Sequence, residues 1–569
     1  MIVYREQQRS ARPDELLRRL RRRVEALPRR TDHDAIVSVL VDVGALEAGV
    51  VDALCPLADE DTAVTRALRR AALAAGHLAA ASWRRSEASI ARWREALDRE
   101  LAACNALPLP SHIGVSVPEG FAHYGLFPEC YLVAAERLFR ALAPRKAVCL
   151  GIRSIGTTLS AVVAAALEDE GCTVSTYTIR PRGHPFDRRP ELSEGLRALL
   201  ATSEGSHFVV VDEGPGISGS SIAGTAAALS ALGIPDDHIV LLPSWDPDPE
   251  TLRAPVARAR WRRHRRFVAG FEEVWLQSGH LSDVTGAGPL VDISAGRWRA
   301  ALLPQPDRQP AVHPQHERRK LRTPGALLRF VGLGSIGPEK LARAQDLGDA
   351  GFSPHPSALS HGFLVREFVP GTPLSPGEID LQLLDRIADY LAHLRLRFCM
   401  PSADPINLDE MIQTNLAGHP LGDRLRGTTR PGLEPPVAVD ARMMPHEWLR
   451  TARGYLKVDA LDHHDDHFFP GPVDIAWDLA GAAIEFGMSA AARHRLVERY
   501  RRLSHDRTVA SRIPYYTVAY LAARIGYASL AVETLGDSDD GRRFARQVRR
   551  YEAALGEHLE EGVINWAQA

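Results

Sequence analysis

Phe208-Val-Val-Val-Asp212-Glu213-Gly-Pro-Gly216-Ile-Ser218-Gly219-Ser220-Ser221 decides how the chain is read. Four apolar residues, three of them β-branched, predict a strand buried on both faces. The strand ends in two carboxylates. A turn of Gly, Pro and Ser follows and opens an Ala-rich helix, expected over Ser221 to Leu232. Such a turn gathers backbone N–H groups and hydroxyls at one point, where the helix dipole adds positive potential. It is a cradle for phosphate, with two acids beside it to hold hydroxyls or favour a cationic centre.

Upstream lies a second turn of the same kind, Ala147-Val-Cys-Leu150-Gly151-Ile-Arg153-Ser154-Ile155-Gly156-Thr157. Strands are expected at Ala147 to Leu150, Thr173 to Ile179, Phe208 to Val211 and Ile239 to Leu242, with a helix over Thr158 to Leu167 between the first two. Strand–helix–strand alternation implies a mostly parallel sheet covered by helices. Two acids, two phosphate turns in this order and a basic stretch between them, Arg180-Pro-Arg182-Gly-His184, resemble type I phosphoribosyltransferases. Glu119 to Pro128 is similar to that family's hood segment. The resemblance implies that Asp212 and Glu213 hold the ribose hydroxyls of phosphoribosyl diphosphate and stabilise the ribosyl centre. Ser218, Gly219, Ser220 and Ser221 would bind the 5-phosphate. Arg153, Ser154, Gly156, Arg180 and Arg182 would take the pyrophosphate. Gly214-Pro215-Gly216 makes the cradle one residue longer than the family's usual turn.

The C-terminal half has a different texture. Strands are expected at Lys320 to Thr323, Ala326 to Val331 and Gly362 to Val369, with a helix over Gly337 to Gly351 and mostly helices beyond residue 373. Val369-Pro-Gly371-Thr-Pro-Leu374, Pro436-Val-Ala-Val-Asp440-Ala-Arg-Met-Met-Pro-His446, Tyr455-Leu-Lys-Val-Asp459 and Asp474-Ile-Ala-Trp477-Asp478 resemble aminoglycoside-phosphotransferase-like kinases. By that resemblance Asp440 would accept the proton of the attacking hydroxyl. Asp459 and His446 would hold magnesium, Arg329 would take the place of the ATP-binding lysine, and Glu339 would pair with Arg329. The usual HGD triplet is absent, and an Arg in place of that lysine keeps the charge but changes its geometry. Asp462-His463-His464-Asp465-Asp466-His467 is a dense set of metal donors. With carboxylates dominant and no cysteine near, it suits magnesium better than zinc; a solvated polar loop explains it equally well. Gly332-Leu-Gly334-Ser-Ile-Gly337 matches the dinucleotide fingerprint, but no second strand ending in an acid follows about 20 residues on.

At roughly 150 residues per domain, 569 residues predict three or four domains. The expected class is α/β multi-domain. A helical segment at 1–110 precedes a phosphoribosyltransferase-like parallel-sheet core at 111–300. A Pro-, Arg- and His-rich linker at 301–315 leads to a kinase-like α+β domain at 316–569, with a small lobe at 316–372 and a helical lobe at 373–569. A net charge of −2 argues against nucleic acid or membrane as partner. Six scattered cysteines, a charged N-terminus without an apolar core and no long apolar run fit a cytoplasmic protein. The N-terminal helices suit a homodimer surface or a lid. Together these features predict a bifunctional enzyme of small molecules: a phosphoribosyl transferase joined to an ATP- and magnesium-using phosphotransferase. The alternatives are a nucleotide-sensing regulator without turnover, and a kinase whose central domain recognises a phosphorylated substrate.

Overall fold

Leu, Val and Ala at three- and four-residue spacing give the N-terminal segment four helices: α1 (Pro13–Glu25), α2 (His33–Leu54), α3 (Ala63–Trp83) and α4 (Glu87–Cys104). The computed structural model describes residues 8–560 apart from 28–31, 282–283, 285–288, 404–405, 423–430, 433 and 467. Helix α2 starts where the Asp32 side chain accepts from Ala35 N, and α3 starts on a Thr62–Thr65 capping box. These helices lie on the central domain, which opens with α5 (Pro128–Leu142); α2 and α3 pack on α6 (Ile155–Asp169). Gly76 makes that approach possible, since a methyl there would sit 2.5 Å from Ala161 O. With the N-terminal helices on one side and the sheet on the other, α6 is buried from Ile155 through Leu167, as a helix of small and apolar residues with only Thr157, Thr158 and Ser160 polar in that span allows.

The central sheet contains β3 (Lys146–Ile152), β4 (Thr173–Ile179), β5 (His207–Val211), β6 (Ile239–Leu242) and β7 (Arg265–Arg266); two short strands, β1 (Gln8–Ala11) and β2 (Ile113–Ser116), pair with each other ahead of it. Its order is β4-β3-β5-β6-β7 and every pairing is parallel. The chain therefore leaves β3 toward one edge and returns to add β5 on its other side. Neighbouring loops splay apart at such a reversal, opening a crevice at the C-terminal ends of the strands.

A second sheet belongs to the small lobe: β8 (Val291–Asp292), β9 (Lys320–Arg322), β10 (Ala326–Phe330), β11 (Pro356–Ser360) and β12 (Phe363–Glu367), in the order β8-β9-β10-β12-β11 and antiparallel throughout. One of its faces shares a core with the central domain, where Phe127 meets Phe330 with ring centroids 5.6 Å apart. Helix α8 (Ile336–Asp349) crosses between β10 and β11. The helical lobe follows with α9 (Leu381–Arg397), α10 (Ala476–Glu485), α11 (Ala490–Ser504), α12 (Val509–Leu535) and α13 (Asp539–Glu560); β13 (Trp448–Thr451) and β14 (Gly454–Lys457) form a hairpin facing the small lobe. The strand Pro356–Ser360, which mixes small and polar residues, has no counterpart in the sequence reading. The segment expected as a linker is tied down: Arg299 pairs with Asp540 at 2.5 Å and Val312 N donates to the same carboxylate. No helix of the described residues is long and apolar enough to cross a membrane.

Candidate functional site

The two turns of the central domain are neighbours. Strands β3 and β5 pair up to Gly151 opposite Val211, and a methyl on Gly156 would lie 2.6 Å from Val211 O and 3.5 Å from the Asp212 Cα. Asp212 and Glu213 stand at the crevice, with the Tyr131 hydroxyl donating to Asp212 O at 2.7 Å. Gly120 closes over them; a methyl there would sit 2.7 Å from Glu213 Oε1. Burial drives the Asp212 pKa up to about 6, and burial together with the Asp212 and Glu119 charges drives Glu213 up to about 8. Gly219 takes the left-handed conformation at φ +66° and starts α7 (Ser220–Ala231). Ser218 and Ser220 hydroxyls are 3.2 Å apart, and Ser220 donates to Pro185 O at 2.6 Å, which ties the cradle to the basic stretch. Ser221 follows in the first turn of that helix.

The arginines expected to meet pyrophosphate face acids of α2 and of the loop between α2 and α3. Arg153 is buried, with Nε 2.8 Å from Asp52 and Nη2 2.5 Å from Asp59. Arg180 Nε reaches Asp52 at 3.1 Å, and Arg182 bonds Cys55 O at 2.6 Å and Asp59 at 3.3 Å. The reason is the placement of α2, which lies against the Ser154 turn and leaves a cavity of about 20 Å³ between them. Sequence reasoning had no means of pairing residues 52 and 59 with residue 153.

Titration should expose the strained acid pair. Glu213 holds its proton in the folded state at pH values where the unfolded chain has lost it. The stability present below about 4.5 is therefore lost as pH rises through about 8. Glu213→Gln is expected to raise stability near pH 8 by on the order of 2 kcal/mol and to flatten the pH profile, read from thermal midpoints at about pH 6 and pH 8.5.

The second site lies in the cleft between the small-lobe sheet and the β13–β14 hairpin. Arg329, on β10, is buried and fixed by Asp459 at 2.9 Å and Asp462 at 2.6 Å. Glu339 does not meet it. That side chain is exposed on α8, one position before the inward-facing Lys340, which pairs with Asp465 at 2.7 Å; at about 100° per residue adjacent positions cannot share a face. Asp440 is fully buried. Its Oδ2 accepts from Tyr390 Oη at 2.6 Å and pairs with Lys457 Nζ at 3.1 Å, so it anchors a neighbouring cation instead of lying open to an incoming hydroxyl. Asp478 accepts from the backbone N–H groups of Asp440 and Ala441 at 2.7 and 2.9 Å, holding the segment in place.

His446 turns away from the acids and stacks near Trp298, with centroids 5.9 Å apart; burial lowers its pKa to about 4. In the tight turn Pro445–Glu447 the next residue points inward instead. Glu447 meets Lys457 at 2.8 Å and Arg442 at 2.6 Å. An acid standing directly before the Trp448-Leu449 strand was the signal that would have found it. Lys457, two residues before Asp459, was also missed in the sequence.

Metal donors converge in two overlapping groups, Asp440, Glu447 and His463, and Asp459, Asp462 and His463, whose ligand atoms lie within 4.8 Å of one another in each. Buried Asp459 Oδ1 and His463 Nδ1 make no aligned hydrogen bond. Burial raises the Asp459 pKa, but Arg329 and His463 outweigh it and hold the carboxylate well below its usual range. Burial and Arg442 lower His463, while Asp459, Glu447 and Asp440 more than restore it. Mostly hard oxygens converging on one point fit magnesium, with Asp459 and Asp462 as the residues that would hold it. His467 lies outside the described residues. Beside these groups is a cavity of about 330 Å³ that includes Lys320, Arg329, Arg366, Arg442, His463 and the chain from Glu367 to Gly371.

No protein-family model matches the chain, and no curated protein matches it. Among solved structures it is similar to a choline/ethanolamine kinase family protein from Mesorhizobium loti, at 16% identity over 43% of this chain and 88% of that chain with a TM-score of 0.31. It is similar to the choline kinase LicA from Streptococcus pneumoniae at 13% identity, over 49% of this chain and 98% of that one, with a TM-score of 0.32. The macrolide 2'-phosphotransferase MphH from Brachybacterium faecium gives 14% identity, over 41% of this chain and 88% of that one, with a TM-score of 0.28. At these scores the likenesses decide nothing about chemistry, which rests on the side chains described above.

Proposed function

We propose that the chain is a magnesium-dependent small-molecule phosphotransferase using a nucleoside triphosphate. The observation that carries this is the cleft itself. Four buried or nearly buried acids (Asp440, Glu447, Asp459, Asp462) are interleaved with Arg329, Lys457 and His463 beside a ligand-sized cavity. Phosphoryl transfer needs positioned charge more than a strong base, because its transition state is loose and spreads charge over the phosphoryl oxygens. Magnesium, when bound, would supply positive charge to offset that of the phosphates. Asp459 and Asp462 would hold it, Arg329 keeps both carboxylates ionised and oriented, and Lys320 and Arg442 line the cavity beside them. Asp440 positions Lys457. The acceptor oxygen gains the phosphoryl group, the bridging P–O bond breaks, and the diphosphate leaves while the acceptor's proton passes to solvent. Asp459→Asn is expected to cut diphosphate release by at least about 100-fold, measured with magnesium, triphosphate and a panel of small alcohols and amines. Turnover that survives this change sinks the assignment; nucleotide binding without turnover across the panel favours the sensing alternative.

For the central domain a second reading has its own support. Two backbone turns side by side at a strand-order reversal, next to an acidic pair, suit a phosphorylated sugar such as phosphoribosyl diphosphate. Arg153, Arg180 and Arg182, engaged with Asp52 and Asp59, weigh toward binding over transfer. Asp212→Asn with Glu213→Gln is expected to weaken phosphoribosyl diphosphate binding at least about tenfold by calorimetry; no heat with the unaltered protein removes this reading.

A further inference from the structure

Asp462, assigned above to the metal, is held from two sides. Arg329 reaches it from the sheet at 2.6 Å, and Arg318 Nε reaches it at 3.3 Å. Arg318 is buried, lines the large cavity and also faces Asp466 at 3.5 Å. Its remaining contact leaves the cleft: Nη1 donates to His123 O at 3.4 Å. One guanidinium therefore spans a metal-holding carboxylate and the backbone of the central domain. Its planar fork fixes the directions of its donors together. Moving that carbonyl re-aims the group that steers Asp462.

His123 belongs to Gly120–Tyr124, a single π-helical turn in which Gly120, Phe121, Ala122 and His123 are buried. Such turns are rare and favour functional positions. Its first residue rests on the central crevice. The Gly120 N–H donates to the Glu213 carboxylate, and a methyl on Gly120 would lie 2.7 Å from Glu213 Oε1. In between, Phe121 O accepts from Leu333 N at 2.9 Å. Leu333 stands between Gly332 (φ +120°) and Gly334 (φ +70°), in the turn that leads into α8. Helix α8 carries Lys340, which is 2.7 Å from Asp465. Two routes thus leave Gly120–Tyr124 and end in the loop at 462–466, one through Arg318 and one through α8. Glycine at position 120 and again at 125, where φ is +63°, gives the turn room to shift at each end.

We propose that Arg318 is a positioning residue for Asp462, and that through Gly120–Tyr124 it makes the cleft's affinity for magnesium triphosphate depend on whether the Asp212–Glu213 crevice is occupied. This coupling rests on both readings above and joins them. A ligand whose hydroxyls donate to Glu213 favours its ionised form, and an ionised carboxylate accepts more strongly from the Gly120 N–H. The turn is then held where it stands, with Phe121 O on Leu333 and His123 O on Arg318, and Asp462 stays aimed at the metal. Both ligands favour one position of one element, so each tightens the other by the same factor.

Calorimetry on the full-length chain tests it, titrating a non-hydrolysable ATP analogue in excess magnesium with and without saturating phosphoribosyl diphosphate. The analogue should bind at least about fivefold tighter when phosphoribosyl diphosphate is present, and phosphoribosyl diphosphate should gain the same factor from the analogue. In Arg318→Lys, which keeps a charge beside Asp462 but loses the fork, the factor should fall toward one. Phosphoribosyl diphosphate that binds without tightening the analogue overturns the coupling and leaves both sites standing. So does a factor undiminished in Arg318→Lys. A second variant needs no ligand in the crevice. Gly120→Ala drives a methyl against Glu213 and should weaken analogue binding at least about fivefold. Adding Glu213→Asp, which withdraws the carboxylate by one methylene, should restore it, and that rescue separates coupling from general damage to the fold. If phosphoribosyl diphosphate does not bind at all, the sugar-phosphate reading falls and this pair of variants decides: a rescued loss upholds the coupling for another crevice ligand, and no loss ends it. If the analogue binds under no condition, the phosphotransferase assignment falls and the coupling falls with it.

Discussion

Lys457→Met is expected to destabilise the C-terminal domain by about 3–5 kcal/mol, seen as an earlier urea transition in the fluorescence of the buried Trp448 and Trp477. The Lys457 ammonium has no exposure and stands 3.1 Å from Asp440 and 2.8 Å from Glu447. Methionine fills the space but leaves two acids without the cation between them. Tyr390 still bonds Asp440 and Arg442 still bonds Glu447, so the loss is that of one charge and not of the whole cluster. Acid should narrow the gap. In the parent, burial is outweighed by Arg442 and Lys457, and Glu447 is held below its usual value. Its contribution is present above the unfolded value and fades as pH falls. In the variant Glu447 loses one of the two cations that hold it down and its folded value rises, so the variant's deficit grows as pH rises and shrinks on acidification. Stability curves of parent and variant that stay parallel between about pH 5 and pH 8 would show that Lys457 is not compensating these carboxylates.

Arg329→Met should give the second large effect, and a different signature. Asp459 and Asp462 lose their shared guanidinium, and a fall of about 3–5 kcal/mol is expected in metal-free buffer. Asp462 keeps Arg318 at 3.3 Å, but with one cation fewer beside them the two acids attract a divalent ion more strongly, and binding to the native state alone stabilises it by mass action. Millimolar magnesium should therefore recover part of the loss in the variant and change the parent less. Diphosphate release should drop at least about 100-fold in the same variant, because an ordered carboxylate pair is no longer held at the phosphates. Arg329→Lys should keep part of the stability and little of the activity, since a single ammonium cannot span two carboxylates as a planar fork does. A variant whose stability ignores magnesium would show that these carboxylates do not form the metal site.

The elements were largely legible in the sequence because each obeys a local rule. Val209 to Val211 alternate with nothing polar and form a strand between two others; Gly219 needs a left-handed turn and starts a helix. What the sequence withheld was long-range. Asp52 and Asp59 neutralise Arg153 across about a hundred positions, and no periodicity encodes that pairing. Side-chain direction also escaped motif spacing by a single residue: His446 stacks near Trp298 while Glu447 turns inward to Lys457, and Glu339 is exposed while Lys340 faces inward. At a turn or on a helix one step reverses the direction of a side chain, so a resemblance has to be right to the residue before it places a side chain.

The strand Val291–Asp292 bears on how this gene product can be dissected. It closes the outer edge of the small-lobe sheet by pairing with Leu321 and Arg322. Severing the chain in the proline-rich stretch that follows would strip that border from the C-terminal fragment and expose a sticky ladder prone to self-association. Fragments meant to be produced separately should divide upstream of residue 290. Even then the N-terminal piece would carry a bare aromatic face where Phe127 had met Phe330, which makes co-production of both halves the sounder route to soluble material.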